Sequence, residues 1–249
     1  MTHIRTLLAI ASLALGGLAH AQSTPTPGGT PGTPGTPPAA IEALAEPYLI
    51  VTRIDARKCA YPVCGGYFVK AVNSPVTRCA DGKLAKECHA VELDTRALGW
   101  SDEQRATFEA SFSQGKALVK GALEPQPRGF YTGEVLRVSE AWQAQGSNKR
   151  PLGTFFSLKN NGIVCIQAPC PSFGLQTLNR TSAERSIDSV DFSPAHASDE
   201  AVQAAWQALE KGPILAAGAV VRFPGFSPTG ATVYGHKLLS SEFYVPAKP

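Results

Sequence analysis

The chain has 249 residues, 43% hydrophobic and 17% charged, with 23 Lys plus Arg, 20 Asp plus Glu and six cysteines. Its formal charge of +3 contains no block of one sign: residues 46–150 hold 15 basic and 12 acidic groups, and residues 151–249 hold 7 of each. That excludes a dedicated nucleic-acid surface, which needs clustered Lys and Arg to displace counterions.

The N-terminus "MTHIRTLLAIASLALGGLAHAQS" has one arginine, an apolar run from Leu7 to Leu18, then Ala19-His20-Ala21. This is the order of a secretory signal and predicts cleavage before Gln22, which leaves a charge of +2 once Arg5 is gone. A spanning helix needs ~20 apolar residues, and no run here reaches that length. Residues 1–21 are therefore read as a signal peptide and the protein as secreted or periplasmic. Residues 22–44, opening "QSTPTPGGTPGTPGTPPAA", hold nothing that could build a core and read as a disordered Pro/Gly/Thr-rich tether.

The rest carries an internal duplication. "KCAYPVCGGYFVKAVN" (58–73) has a twin in "GIVCIQAPCPSFGLQTLN" (162–179): Cys59 matches Cys165, Cys64 matches Cys170 and Asn73 matches Asn179, all 106 apart. From Asp94 and Asp191 the offset is 97, and eleven identities fall in 53 ungapped positions, including Gly121 with Gly218. Such a period marks repeated units: 45–146, with an insertion around Cys79 and Cys88, and 147–249.

Both copies must fit one element order. "PYLIVTRI" and "GTFFSLKN" predict a first strand, "YFVKAVN" and "FGLQTLN" a second, "HAVELD" and "SIDSVDF" a third. "SDEQRATFEASFSQG" and "SDEAVQAAWQALEKG" each have Ser as N-cap, acids in the first turn and a terminal glycine, the punctuation of a helix. "KALVKGAL" and "ILAAGAVVRF" predict a fourth strand, "EVLRVSEAW" and "ATVYGHKLL" a fifth. The fold class is α+β, two tandem β-β-β-α-β-β units. That order belongs to the OB-like five-stranded barrel, while a cystatin-like or α+β sandwich would also seat one helix on five strands.

Six cysteines in an exported chain predict disulfides. The second copy owns only Cys165 and Cys170, so these pair; the repeat then implies Cys59 with Cys64 and leaves Cys79 with Cys88 to close the insertion. A structural zinc site wants four ligands, which the second copy lacks. A redox centre wants C-x-x-C at a helix start, whereas here the spacing is C-x4-C before a strand. The histidines of the mature chain, His89, His196 and His236, sit in no catalytic motif. Asp94 and Asp191 recur where a strand ends and read as turn caps, as do Asn73 and Asn179. No catalytic residue, metal site or cofactor is predicted.

"CAYPVCGGYFVKAVN", "TRCADGKLAKEC", "NNGIVCIQAPCPS", "LNRTSA" and "VLRVSEAW" together resemble an uncharacterised bacterial family of secreted domains of unknown function, over about residues 46–245. That resemblance implies a secreted, disulfide-bearing module and assigns no residue a role. "YPVCGG" and "CADGK" are also similar to strings in Kazal-type protease inhibitors, but the cysteine spacing of those inhibitors does not follow.

Three functions are open. The first is a non-catalytic module binding a protein or glycan on the face of the second and third strands, with Tyr67, Phe68 and Phe173 as ligand-face residues. The second is a protease inhibitor presenting a cysteine loop, 59–66 or 165–172, with Pro62 or Pro169 holding it extended. The third is a hydrolase without a recognisable motif.

Overall fold

In the computed structural model the described residues are 46–61, 63–166, 169–226 and 229–247. The predicted signal and tether lie outside them, as do Pro62, Gln167 and Ala168.

The first half comprises β1 (Tyr48–Ile54), β2 (Tyr67–Ala71), a small hairpin of β3 (Thr77–Arg78) and β4 (Leu84–Ala85), then β5 (Cys88–Ala90) and β6 (Glu92–Asp94). Helix α1 (Asp102–Ser113) follows, then the long strands β7 (Ala117–Arg128) and β8 (Tyr131–Ala144). The second half comprises β9 (Thr154–Asn160), β10 (Phe173–Thr177), β11 (Arg185–Ile187), β12 (Ser189–Asp191), α2 (Asp199–Lys211), β13 (Ile214–Phe226) and β14 (Thr232–Pro246).

Apart from the β3–β4 hairpin, the strands form one large, mostly antiparallel sheet in the order β11-β10-β9-β13-β14-β8-β7-β1-β2-β5, with β12 parallel to β14 and β6 parallel to β8. The expected pair of separate barrels is thus replaced by a single twelve-stranded sheet. Its two halves meet where β8 and β14 pair, Tyr244 opposite Ala144 and Pro246 opposite Trp142. An edge between two half-sheets would leave a row of open N–H and C=O groups; here each half covers the other's.

Local sequence explains both helices. Ser101 accepts from the Gln104 N–H while the Gln104 side chain accepts from the Ser101 N–H, a complete capping box. Ser198 caps α2 through the Ala201 N–H. Phe108 and Phe112 of α1 are buried in one core with Tyr67, Val69 and Leu136; Ala205 and Leu209 of α2 are buried in a second with Leu175, Ile187 and Phe243. A third core spans the seam, with Ile50, Val72, Leu118 and Trp142 from one side and Phe155, Leu178, Leu215 and Tyr244 from the other.

The pairings of the halves correspond, with two corrections to the ungapped alignment. Tyr48 pairs with Lys120 as Phe155 pairs with Ala217, an offset of 107 for the start of the first strand. Past Thr52, where β1 carries a bulge against β2, the offset is 106: Arg53 faces Phe68 as Lys159 faces Gly174. In the fifth strand Gly121 pairs with Val138 and Gly218 with Ser240, so positions there lie 102 apart, the β13–β14 hairpin being five residues longer. Both glycines follow a register shift, and a Cβ on either would collide with a backbone carbonyl of the next strand, Arg137 or Leu239.

Candidate functional site: the cysteine loops

Each half opens with a strand, a disulfide-closed loop and a return strand. The bonds are Cys59–Cys64, Cys165–Cys170 and, across the first-half insertion, Cys79–Cys88. The base of the first loop is fixed at Asp55, whose N–H donates to Gly66 O at 3.0 Å. Its buried carboxylate takes three hydrogen bonds from the Arg57 guanidinium and lies 3.1 Å from His89 Nε2. These hydrogen bonds to Arg57 hold the carboxyl far below the usual range. Arg57 also donates to Val63 O, and His89 Nε2 lies 2.7 Å from Gly65 O. Asn161 takes the corresponding place in the second loop: its N–H donates to Ser172 O at 2.8 Å and its side chain to Pro171 O at 3.2 Å. The sequence hid this equivalence because one position is Asp and the other Asn.

The loops carry groups the cores leave out. Tyr61 is 54% exposed on the first; on the second, Val164 is 96% and Ile166 109% exposed. The tip between β7 and β8 adds Phe130 and Tyr131, also exposed.

The predicted ligand face is corrected. Tyr67 is buried in the first core, edge-on to Phe112, with its hydroxyl donating to Glu109 Oε1 at 2.6 Å. Phe173, in the same register, leans on Trp206 of α2 and packs against the second core. Only Phe68 faces outward, and Arg53 lies over its ring at 3.3 Å while pairing with Glu87. Strand alternation puts 67 and 173 inside together. The three residues therefore do not meet on one surface.

The remaining candidates fill structural posts. Asp94 accepts from the Arg96 N–H and pairs with its guanidinium, which holds the carboxyl down at about 2. Asp191 accepts from the Ser193 N–H. His196 occupies a left-handed turn, and the His236 N–H donates to Asp188. His89 Nε2 meets a carboxylate and a backbone carbonyl, not a hydroxyl or thiol that it could activate. Cys79, Cys88 and Glu134 come within ligand distance of one another, but both sulfurs are committed to a disulfide and offer no thiolate.

Asn73 and Asn179 do more than end strands. Both lie in the left-handed region, at φ 57° and 56°. Asn73 donates to Phe155 O and Leu178 O and accepts from the Phe155 N–H. Asn179 donates to Tyr48 O and Val72 O and accepts from the Tyr48 N–H. Each asparagine holds the first strand of the other half, a reciprocal clasp over the shared core.

No curated protein and no solved structure matches the chain. One family model does, over residues 48–249, the whole two-part sheet with its loops. The chain belongs to that family, a domain of unknown function (DUF6748).

Proposed function

We propose that the protein is an extracytoplasmic, non-catalytic interaction module that presents its disulfide-closed loops to a partner protein. The observation that carries this reading is the second loop, where Val164 and Ile166 stand almost wholly in solvent beside the Cys165–Cys170 bond. Large aliphatic groups held out on a stiffened loop gain free energy only when something covers them, about 1.5–3 kcal/mol for each fully buried side chain. A stiff loop also loses little conformational entropy on binding. The aliphatic character of these two side chains favours a protein over a glycan. Three disulfides and a signal-like leader support an oxidising compartment.

The scaffold is an OB-like unit copied in tandem, 45–146 and 147–249. Several pairings support the copying. The Arg53–Glu87 ion pair corresponds to Lys159–Glu184, the two asparagine clasps are reciprocal, and the register shifts at Gly121 and Gly218 match. Support for the OB-like order comes from β6 and β12, each continuing the third strand onto the fifth in parallel.

The test places a photo-crosslinking amino acid at position 166 in producing cells, with Lys83 in the β3–β4 turn as the control position. A discrete protein adduct specific to 166 supports the reading. Equal labelling at both positions, or turnover of a substrate by the purified protein, overturns it.

A further inference from the structure

The halves differ at one place in an informative way. In the first half the insertion folds back against the edge of β2: Thr77, itself buried, accepts from the Ala71 N–H at 2.8 Å through its Oγ1, and Cys88 of β5 is tied to Cys79 beside it. The second half has no insertion. Register puts Thr177 where Ala71 stands and Arg185 where Cys88 stands, since Leu175 faces Arg185 as Val69 faces Cys88.

An open cleft of about 510 Å³ occupies that place, walled by Phe156, Leu175 and Val220 and edged by Thr177, Ser182 and Arg185. The volume is that of a ligand site. Phe156 is half-buried there, whereas its counterpart Leu49 is fully buried in the first core. Because the Leu178 N–H goes to Phe155 O, strand alternation turns the Thr177 N–H outward, as it turns the Ala71 N–H to Thr77. Neighbouring Glu184 is paired with Lys159, so among the described residues the Arg185 guanidinium has no acidic partner.

We propose that this cleft receives an extended acidic segment of a partner protein. A side-chain or backbone oxygen of that segment accepts from the Thr177 N–H, as Thr77 accepts in the first half, and a carboxylate pairs with Arg185. The apolar walls take the aliphatic side chains between. This site is separate from the loop tips, so either can hold without the other.

The test is a titration of the ¹⁵N-labelled full chain with the blocked hexapeptide Ac-Ala-Val-Thr-Asp-Val-Ala-NH₂, with its Asp-to-Lys form, and with decanoate. The acidic peptide should shift the Thr177 and Arg185 amides saturably and bind at least about tenfold more tightly than the lysine form, because the lysine replaces an ion pair with a like-charge contact at Arg185. Arg185 is exposed, so Arg185→Glu should fold normally, lose the acidic peptide and gain the lysine one. Equal binding of the two peptides, shifts elsewhere only, no reversal in Arg185→Glu, or occupancy by decanoate but not by peptide would each overturn the proposal.

Discussion

Substituting Asn179 separates the energetics of the clasp from that of its backbone. The side chain makes three hydrogen bonds to the other half: the Tyr48 N–H at 2.8 Å, Tyr48 O at 2.8 Å and Val72 O at 2.9 Å. At about 1 kcal/mol net for each, their loss costs roughly 3 kcal/mol, with an upward margin because the stranded groups lie at a packed seam. Asn179 also sits at φ 56°, where Asn and Gly are at ease and alanine is penalised by roughly 1 kcal/mol or more. Asn179→Gly should therefore lower the unfolding free energy by about 3 kcal/mol, and Asn179→Ala by about 4. Asn179→Asp keeps the acceptor for Tyr48 but turns a carboxylate oxygen on two carbonyls, and should be at least as damaging as alanine. Urea unfolding followed by tryptophan fluorescence measures all three. An alanine cost under about 0.5 kcal/mol, the range of an ordinary surface change, would refute the clasp, and a glycine variant less stable than the alanine one would refute the left-handed backbone share of the cost.

Three other outcomes follow from the cores and buried charges. Tyr67→Ala should cost about 3–5 kcal/mol, the range for emptying a buried aromatic site, whereas outward-facing Phe68→Ala should cost under half as much; equal costs would return Tyr67 to the surface. Tyr244→Phe should stabilise by about 1 kcal/mol, because the buried Tyr244 hydroxyl has no hydrogen-bond partner among the described residues and its desolvation is uncompensated; a loss of stability would show that the hydroxyl is bonded. Burial raises the Glu242 carboxyl above its ordinary 4.5 despite hydrogen bonds from Gly146 and the nearby Lys116. The native state thus takes up that proton before the unfolded state does, and its share of stability grows as pH falls from neutral through the raised value, levelling below about 4.5. Glu242→Gln should flatten the slope of stability on the acidic side of neutrality, above about pH 4.5, and an unchanged slope would remove Glu242 as its cause.

Much of the architecture was legible because its signals are local. Ser101 and Ser198 announce their helices, and period-two alternation marks β2 and β10. Repetition of the cysteines also sufficed to pair them. What escaped depends on distance along the chain. Asn73 and Asn179 are plain as repeats, but their partners lie in the opposite half, so a turn cap was the nearest reading. The ungapped alignment slid by one residue ahead of the bulge at Thr52 and by five in the last strand, because bulges and hairpin lengths alter register without altering composition. Alternation gave a face for Tyr67 and Phe68 but could not say which face was the core; α1 decides that by covering Tyr67. Nothing local in Arg185 suggests a cleft, which is visible only because the first half shows what fills the same place.

If the second cysteine loop is a contact surface, its exposed side chains and its closure must both matter to the partner. The most direct measurement is binding of the crosslinked partner, once isolated, to three proteins: the parent, Val164→Asp/Ile166→Asp, and Cys165→Ser/Cys170→Ser. The aspartates should abolish binding with Tm unchanged. Opening the disulfide should weaken binding by at least about tenfold while costing roughly 2 kcal/mol of stability, the loop-closure value for so short a ring. Full-strength binding by the double aspartate variant would contradict the assignment of this loop as the contact surface.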